Sequence, residues 1–193
     1  MFKKGAKYVC LEKSFFSLDN FKIIPIRYED RLEIMNWRNE QIYHLRQDKP
    51  LTIEDQDHYF DDVIANLFNQ ERPRQILFSF LENDICIGYG GLVHINWIDK
   101  NAEISFVMNT KLQKDNFKKY WSNYLRLIEI VAFNELNLYK IYTYAFDLRP
   151  HLYEVIETEG YQKEAVLKNH CFFDGKFIDV VIHSKFINAK SYN

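Results

Sequence analysis

Cysteine, proline and glycine are all scarce in this chain, and each scarcity removes a class of explanation. Cys10, Cys86 and Cys171 are odd in number and far apart, which argues against a disulfide framework and against a cysteine-rich zinc site. No apolar run approaches the length of a membrane span. None follows the basic start Met1-Phe2-Lys3-Lys4 that could act as a signal peptide. No repeat, low-complexity tract or Pro/Gly/Ser linker divides the chain. Net charge is small as well: Lys+Arg 25 against Asp+Glu 27 leaves −2, with no overall pull toward nucleic acid. Glycine is missing over one long stretch, between Gly91 and Gly160. The expectation is a cytoplasmic protein with reduced thiols, no membrane span and no nucleic-acid partner.

What is present suits a folded domain. A length of 193 residues with 47% hydrophobic and 27% charged residues can bury one substantial core. The aromatic share of 17% supplies rings for a core and sheet. Residues 1–20 are expected to be an N-terminal arm or hairpin, and 21–193 a single domain.

The apolar patterning predicts alternating strands and helices. Phe21 to Tyr28 reads as a strand with Pro25 marking an edge, followed by a helix from Glu29 to about Asn39. Thr52 with Asp55 forms a capping signature for a helix to about Gln70. Gln75–Leu81, Ile85–Ile98 and Ala102–Met108 read as a three-stranded meander. Gly88, Gly90 and Gly91 inside its second strand mark either a bulge or a close approach to the backbone. A helix is expected from about Phe117 to Leu136, with Phe117, Trp121, Tyr124, Leu125, Ile128 and Val131 on one stripe. The strand Lys140–Phe146 should then lie parallel to the strand before that helix, through a right-handed crossover. Pro150 suits the first turn of a helix from His151 to Glu159 that Gly160 ends, and a hairpin turns at Asp174-Gly175.

Three phrases in this order carry a family resemblance. Trp37-Arg38-Asn39 sits in the first helix and Ala102-Glu103-Ile104-Ser105-Phe106 in the central strand. Glu157-Thr158-Glu159-Gly160-Tyr161 opens a C-terminal block that runs on through Lys163-Glu164-Ala165-Val166-Leu167 to Gly175-Lys176-Phe177-Ile178-Asp179. Over roughly residues 22–187 the chain resembles the GNAT N-acetyltransferases. The resemblance implies an α/β (α+β) fold: a mixed, mainly antiparallel sheet with one parallel, splayed pair, flanked by helices. It implies acetyl-CoA as co-substrate and direct attack by an amine in a ternary complex. The acceptor it suggests is a nucleotide-linked amino sugar in polysaccharide biosynthesis. The alternatives are a protein N-terminus, or a catalytically silent acyl-CoA-binding domain of the same fold.

The family's phosphate signature (Gln or Arg, two residues, Gly, one residue, Gly or Ala) has no glycine here. One frame gives Gln113, Asn116 and Lys118; the other gives Asn116, Lys119 and Trp121. Lys114, Lys118 and Lys119 at that helix start are either a replacement anion site, with Asn116, or a solvated run. Phe106, Val107 and Met108 are placed along the pantetheine arm. Arg149 stands where the family tends to have Asn, and its forked donors suit a CoA phosphate.

For the base, Glu103 on the central strand competes with its reading as a paired strand-face carboxylate, and His94 is the second candidate. Tyr153 is the candidate acid for the leaving thiolate, although the family spacing falls nearer Ile156. Arg38, Asn39, Gln41, Arg46 and Gln47 form a donor-rich set suited to an anionic small-molecule acceptor, or else cap and bridge the surface. His44, His58 and His94 lack ligand spacing, so no metal is expected. The C-terminal hairpin or a sheet edge could pair two chains into a homodimer.

Overall fold

The computed structural model describes residues 7–187. Residues 1–6 of the expected N-terminal arm lie outside the described residues. One eight-stranded sheet runs in the order β1-β2-β3-β4-β5-β6-β8-β7. Its strands are β1 (Phe16–Leu18), β2 (Phe21–Pro25), β3 (Ile76–Glu82), β4 (Ile85–Asn96), β5 (Asn101–Met108), β6 (Lys140–Phe146), β7 (Gln162–Phe173) and β8 (Lys176–Phe186). Every neighbouring pair is antiparallel except β5 with β6. That parallel pair holds for only three positions, ending at Glu103↔Tyr142. Beyond it both strands continue without pairing to each other, so the sheet opens into a slot. The mixed sheet with one splayed parallel pair is the expected architecture.

The lead-in to β1 packs into the same core. Tyr8 is fully buried, stacks on Phe68 at 4.4 Å, and bridges the Leu77 backbone through its hydroxyl. Such a double bond to one residue satisfies the phenol that burial would otherwise penalise.

Helix α1 (Arg31–Glu40) follows a 3₁₀ turn at Tyr28–Asp30. The predicted capping box opens α2 (Ile53–His58): Thr52 accepts from the Asp55 amide, and Asp55 accepts from that of Thr52. The chain stays helical through a π segment, Tyr59–Ile64, into the short α3 (Ala65–Leu67). Helix α4 (Thr110–Glu129) continues into a second π segment, Ile130–Glu135. Helix α5 (Pro150–Thr158) has proline in its first turn and gives way to Gly160 at φ +88°.

The start of α4 corrects the expectation of a helix beginning near Phe117. Asn109 caps it directly off β5, its side chain accepting from the Lys111 amide at 3.0 Å. Residues 110–116 are polar apart from Leu112 and show no apolar stripe, yet they contain no breaker, so a good cap suffices to begin the helix there. Aromatic packing fixes α4 to the sheet: Tyr124 stacks on Phe106 at 3.9 Å, and Trp121 meets the same ring edge-on at 4.9 Å.

The glycines of β4 serve close approach. A Cβ on Gly90 would stand 2.0 Å from the Ser105 carbonyl oxygen and 2.6 Å from the Tyr124 hydroxyl. A Cβ on Gly91 would stand 1.9 Å from the Ile76 carbonyl oxygen.

Candidate active site

The slot between β5 and β6 is the centre of the candidate site. It is a cavity of about 90 Å³, lined among others by His44, Arg46, Glu103, Phe106, Thr143, Tyr144 and Arg149. Strand alternation divides this lining between two faces. Phe106 and Thr143 look toward α4 and α5, with Trp121 and Leu152. Glu103 and Tyr144 look toward the segment that follows α1.

On the second face, the two competing base candidates form one pair. Glu103 is 5% exposed, and its Oε2 lies 2.9 Å from Nδ1 of His94. Its other oxygen accepts from Arg46, whose guanidinium lies 4.6 Å from the centre of the Tyr144 ring. Glu103 is thus a paired carboxylate that also lines the slot. Regular alternation would turn His94 away from Glu103, because Val93 is the residue directly across from it. A register shift between Val93 and Asn96, with His94 at φ +51°, swings the imidazole back. A left-handed histidine in a strand is uncommon, and such strain collects at functional sites.

Gln41, His44 and Arg149 link three element ends. Gln41 donates to the Trp37 and Met108 carbonyls and accepts from Gln113 at 2.6 Å. Arg149 is the N-cap residue of α5, and its Nη1 lies 3.3 Å from Nε2 of His44. The same nitrogen lies 3.3 Å from Oε1 of Gln41, so it stands between a group that can only donate and one that can only accept. Burial, with the Arg149 charge second, pulls the His44 pKa down to about 3. Burial likewise lowers Arg149 from its ordinary value.

A second groove, of about 550 Å³, lies between α4 and α5, lined by Gln113, Lys114, Phe117, Lys118, His151, Glu154 and Val155. Lys114 and Lys118 therefore share one anion-facing wall. Lys118 stands eight residues beyond Thr110, about 12 Å along the axis at helical rise, so it is not at the helix start. Lys119 leaves the set, because its ammonium lies 2.6 Å from Glu82 on the other side of the helix. Asn116 is half-buried on α4 and is not among the residues that line the groove.

Other expected site residues are placed differently. Val107 and Met108 are buried away from the slot, and the Met108 carbonyl is taken by Gln41. Tyr153 donates to Asp147 at 3.0 Å and stacks on His183 at 5.1 Å, so its hydroxyl is engaged outside the slot. Burial, then the Asp147 bond, raises its pKa. Ile156, at the family spacing for the acid, is fully buried and apolar. Asn39 and Gln47 tie down the loop before α2: Asn39 bonds both backbone groups of Leu51, and Gln47 bonds Asn39 and the Lys49 carbonyl. Arg38 bonds Gln47 and the Tyr89 hydroxyl, and lines a separate pocket with Tyr59 and Asp55.

Sequence reasoning missed Thr143, Tyr144 and His44 as lining residues. His44 was visible only as a histidine without metal spacing. The β6 pair had no signal, because their exposure depends on where the strands part.

The model of the GNAT acetyltransferase domain matches residues 23–182. The chain belongs to this family. Spermidine N(1)-acetyltransferase of Vibrio cholerae is 29% identical over 134 residues, covering 66% of this chain and 76% of that protein. A structure of Vibrio cholerae spermidine N-acetyltransferase with CoA and spermine superposes with a TM-score of 0.74 at 19% identity, over 88% of this chain and 96% of the other. A dodecameric form of the Vibrio cholerae enzyme gives 0.72 at 20% identity, over 91% and 98%. At those identities the structural likeness speaks for the fold.

This GNAT chain is an acetyl-CoA-dependent N-acetyltransferase. Its residues fit that co-substrate with one departure from the family pattern. The slot and the lysine-walled groove are neighbours: Phe117 of the groove meets Trp121 of the slot at 6.0 Å, and His151 of the groove precedes Leu152 of the slot on α5. The start of α4, where the family's glycine loop presents amides to phosphate, is instead occupied by the end of α1: Glu40 accepts from the Thr110 hydroxyl, and Gln41 from Gln113. No described helix is long and apolar enough to cross a membrane. Among the described residues no group of His, Cys, Asp and Glu could hold a metal ion.

Proposed function

We propose that the chain acetylates a primary amine that enters from the Glu103 face of the slot, with His94 as the base. The observation that carries this reading is the His94–Glu103 pair at the splay. Glu103 accepts the Nδ1 proton of His94 and fixes the tautomer, which leaves Nε2 to take a proton from the attacking amine. The imidazolium so formed is stabilised by the same carboxylate. Arg46 holds Glu103 in place from the other side. Acetyl-CoA supplies the activated acyl group, and the unpaired backbone of β5 past Glu103 supplies donors for its carbonyl.

Two acceptor classes have support. The relatives' names give polyamines, and kinship to them favours a polyamine here. The local charge favours the other class: Arg46 and Arg149 border the slot against the single carboxylate of Glu103. A polycation meets repulsion there, whereas an acceptor with its own anionic group, such as a nucleotide-linked amino sugar, is drawn in. The amino-sugar reading rests on that charge balance and draws nothing from the relatives.

Thiol release from acetyl-CoA should be followed with spermidine, a nucleotide-linked amino sugar and a short peptide with a free N-terminus. Turnover with the amino sugar at least tenfold above spermidine supports the charge argument. The reverse order assigns the polyamine.

A further copy of the chain has a natural docking place in this reading. Phe172 and Phe177 are 66% and 63% exposed, pack on each other at 5.2 Å, and stand near the tip of the β7–β8 hairpin at the sheet edge.

A further inference from the structure

Arg149 is a half-buried cation with no ion-pair partner among the described residues. Its Nη1 faces the neutral His44, and its Nε is buried with no hydrogen-bond partner. On β6, lining the same cavity, Thr143 is 4% exposed and its hydroxyl is also unpartnered. Two orphaned donors in one cavity are costly unless a ligand or a developing charge meets them. The reaction generates one such charge. The usual acid is absent from its place, with Ile156 there instead, and Tyr153 is bonded to Asp147.

We propose that Arg149, assisted by the Thr143 hydroxyl, stabilises the departing CoA thiolate as an ion pair, replacing proton donation by a tyrosine. This rests on the acetyltransferase reading above. As the amine nitrogen bonds the acyl carbon, the carbon–sulfur bond breaks and sulfur leaves with the electron pair. The amine's proton goes to His94. Arg149 keeps its protons throughout, and the thiolate takes one from water as CoA departs. A guanidinium suits this role because it remains charged while desolvated and presents donors at fixed geometry. Its place as N-cap residue of α5 adds the positive end of that helix. The other titratable groups around the slot and the neighbouring groove are Tyr43 and His44 after α1, Arg46, Glu103 on β5, Lys114 and Lys118 on α4, Tyr144 on β6, and His151, Tyr153 and the exposed Glu154 on α5. Glu103, the carboxylate that lines the slot itself, is held by Arg46 and His94.

The test titrates the thiol of CoA bound to the intact protein, through thiolate absorbance near 240 nm. The S-methyl-CoA complex serves as the blank for tyrosine ionisation. Calorimetry reports CoA affinity in parallel. In the wild type the bound thiol should ionise at least about one pH unit below free CoA, a factor of about ten in its ionisation constant. Arg149→Ala should abolish that shift, with CoA affinity changed less than about threefold, and Arg149→Lys should keep part of it. Should Arg149→Ala fail to fold, Arg149→Lys and Thr143→Val carry the comparison, each with a reduced shift. A wild-type thiol that ionises at or above the free value overturns the proposal. So does an undiminished shift in Arg149→Ala, or in both substitute variants. Absence of CoA binding at millimolar concentration overturns the acetyltransferase reading itself and the proposal with it, and is distinguished by the calorimetric arm.

Discussion

His44 is a histidine held neutral by its surroundings, and that fixes how the protein responds to acid. Its folded pKa, about 3, lies below the ordinary 6.5 of an unfolded histidine. Between those values the unfolded chain binds the extra proton. The stability it contributes is therefore fully present above pH 6.5 and is lost as pH falls toward 3. By pH 5 the loss from this one group is about 2 kcal/mol. Melting temperatures of the wild type and His44→Gln should diverge in slope below pH 6.5, the variant being flatter; parallel slopes would contradict the assignment. Catalytic roles separate at the same scale. His94→Ala and Glu103→Gln should each lower kcat by about 10²–10⁴ while leaving the acetyl-CoA KM within a few-fold. A fall in affinity with kcat intact would make the pair a binding element. Single residues were only partly legible in the sequence. Glu103 and His94 were both visible as candidates, yet their pairing depends on a bulge. Arg149 was visible as a departure from the family pattern, but its lack of a counterion shows only once burial is known.

At the scale of elements, strand spacing around β4 is set by glycine. Gly90→Ala forces a methyl group into the Ser105 carbonyl and the Tyr124 hydroxyl, so it should cost about 3 kcal/mol or more. Gly175→Ala in the β7–β8 turn meets nothing within 4 Å and is opposed only by a φ of +75°. It should cost about 1 kcal/mol. Urea midpoints of the two variants check the order, and similar losses would mean that strand approach is not the constraint. Most elements could be read from the chain. The Thr52–Asp55 box, the Asp174-Gly175 turn and the aromatic stripe of α4 are local signals whose physics survives in the fold. The start of α4 was not legible because its first two turns carry one apolar residue, Leu112, and so no stripe. The π segments were not, because a widened turn leaves no residue-type signature. The His94 bulge escaped because register is decided by the partner strand.

For the whole molecule, order and topology were the most legible features. A meander, a crossover and a final hairpin leave few ways to arrange eight strands, and the splayed parallel pair follows from the crossover. Assembly depends on surface pairing and was open from the sequence. If the β7–β8 tip joins copies of the chain, Phe172→Asp with Phe177→Asp should reduce the particle mass in light scattering without lowering the melting temperature. An unchanged mass would place any interface elsewhere. The central claim is that the slot between β5 and β6 transfers acetyl groups with the His94–Glu103 pair as its base. The most direct measurement is thiol release from acetyl-CoA against the amine panel, run in parallel for the wild type, His94→Ala and Glu103→Gln. Wild-type turnover with at least one amine, falling a hundredfold or more in both variants at unchanged acetyl-CoA affinity, is the result this account predicts. Turnover that survives both substitutions, or a wild type that binds no acetyl-CoA at millimolar concentration, would contradict it.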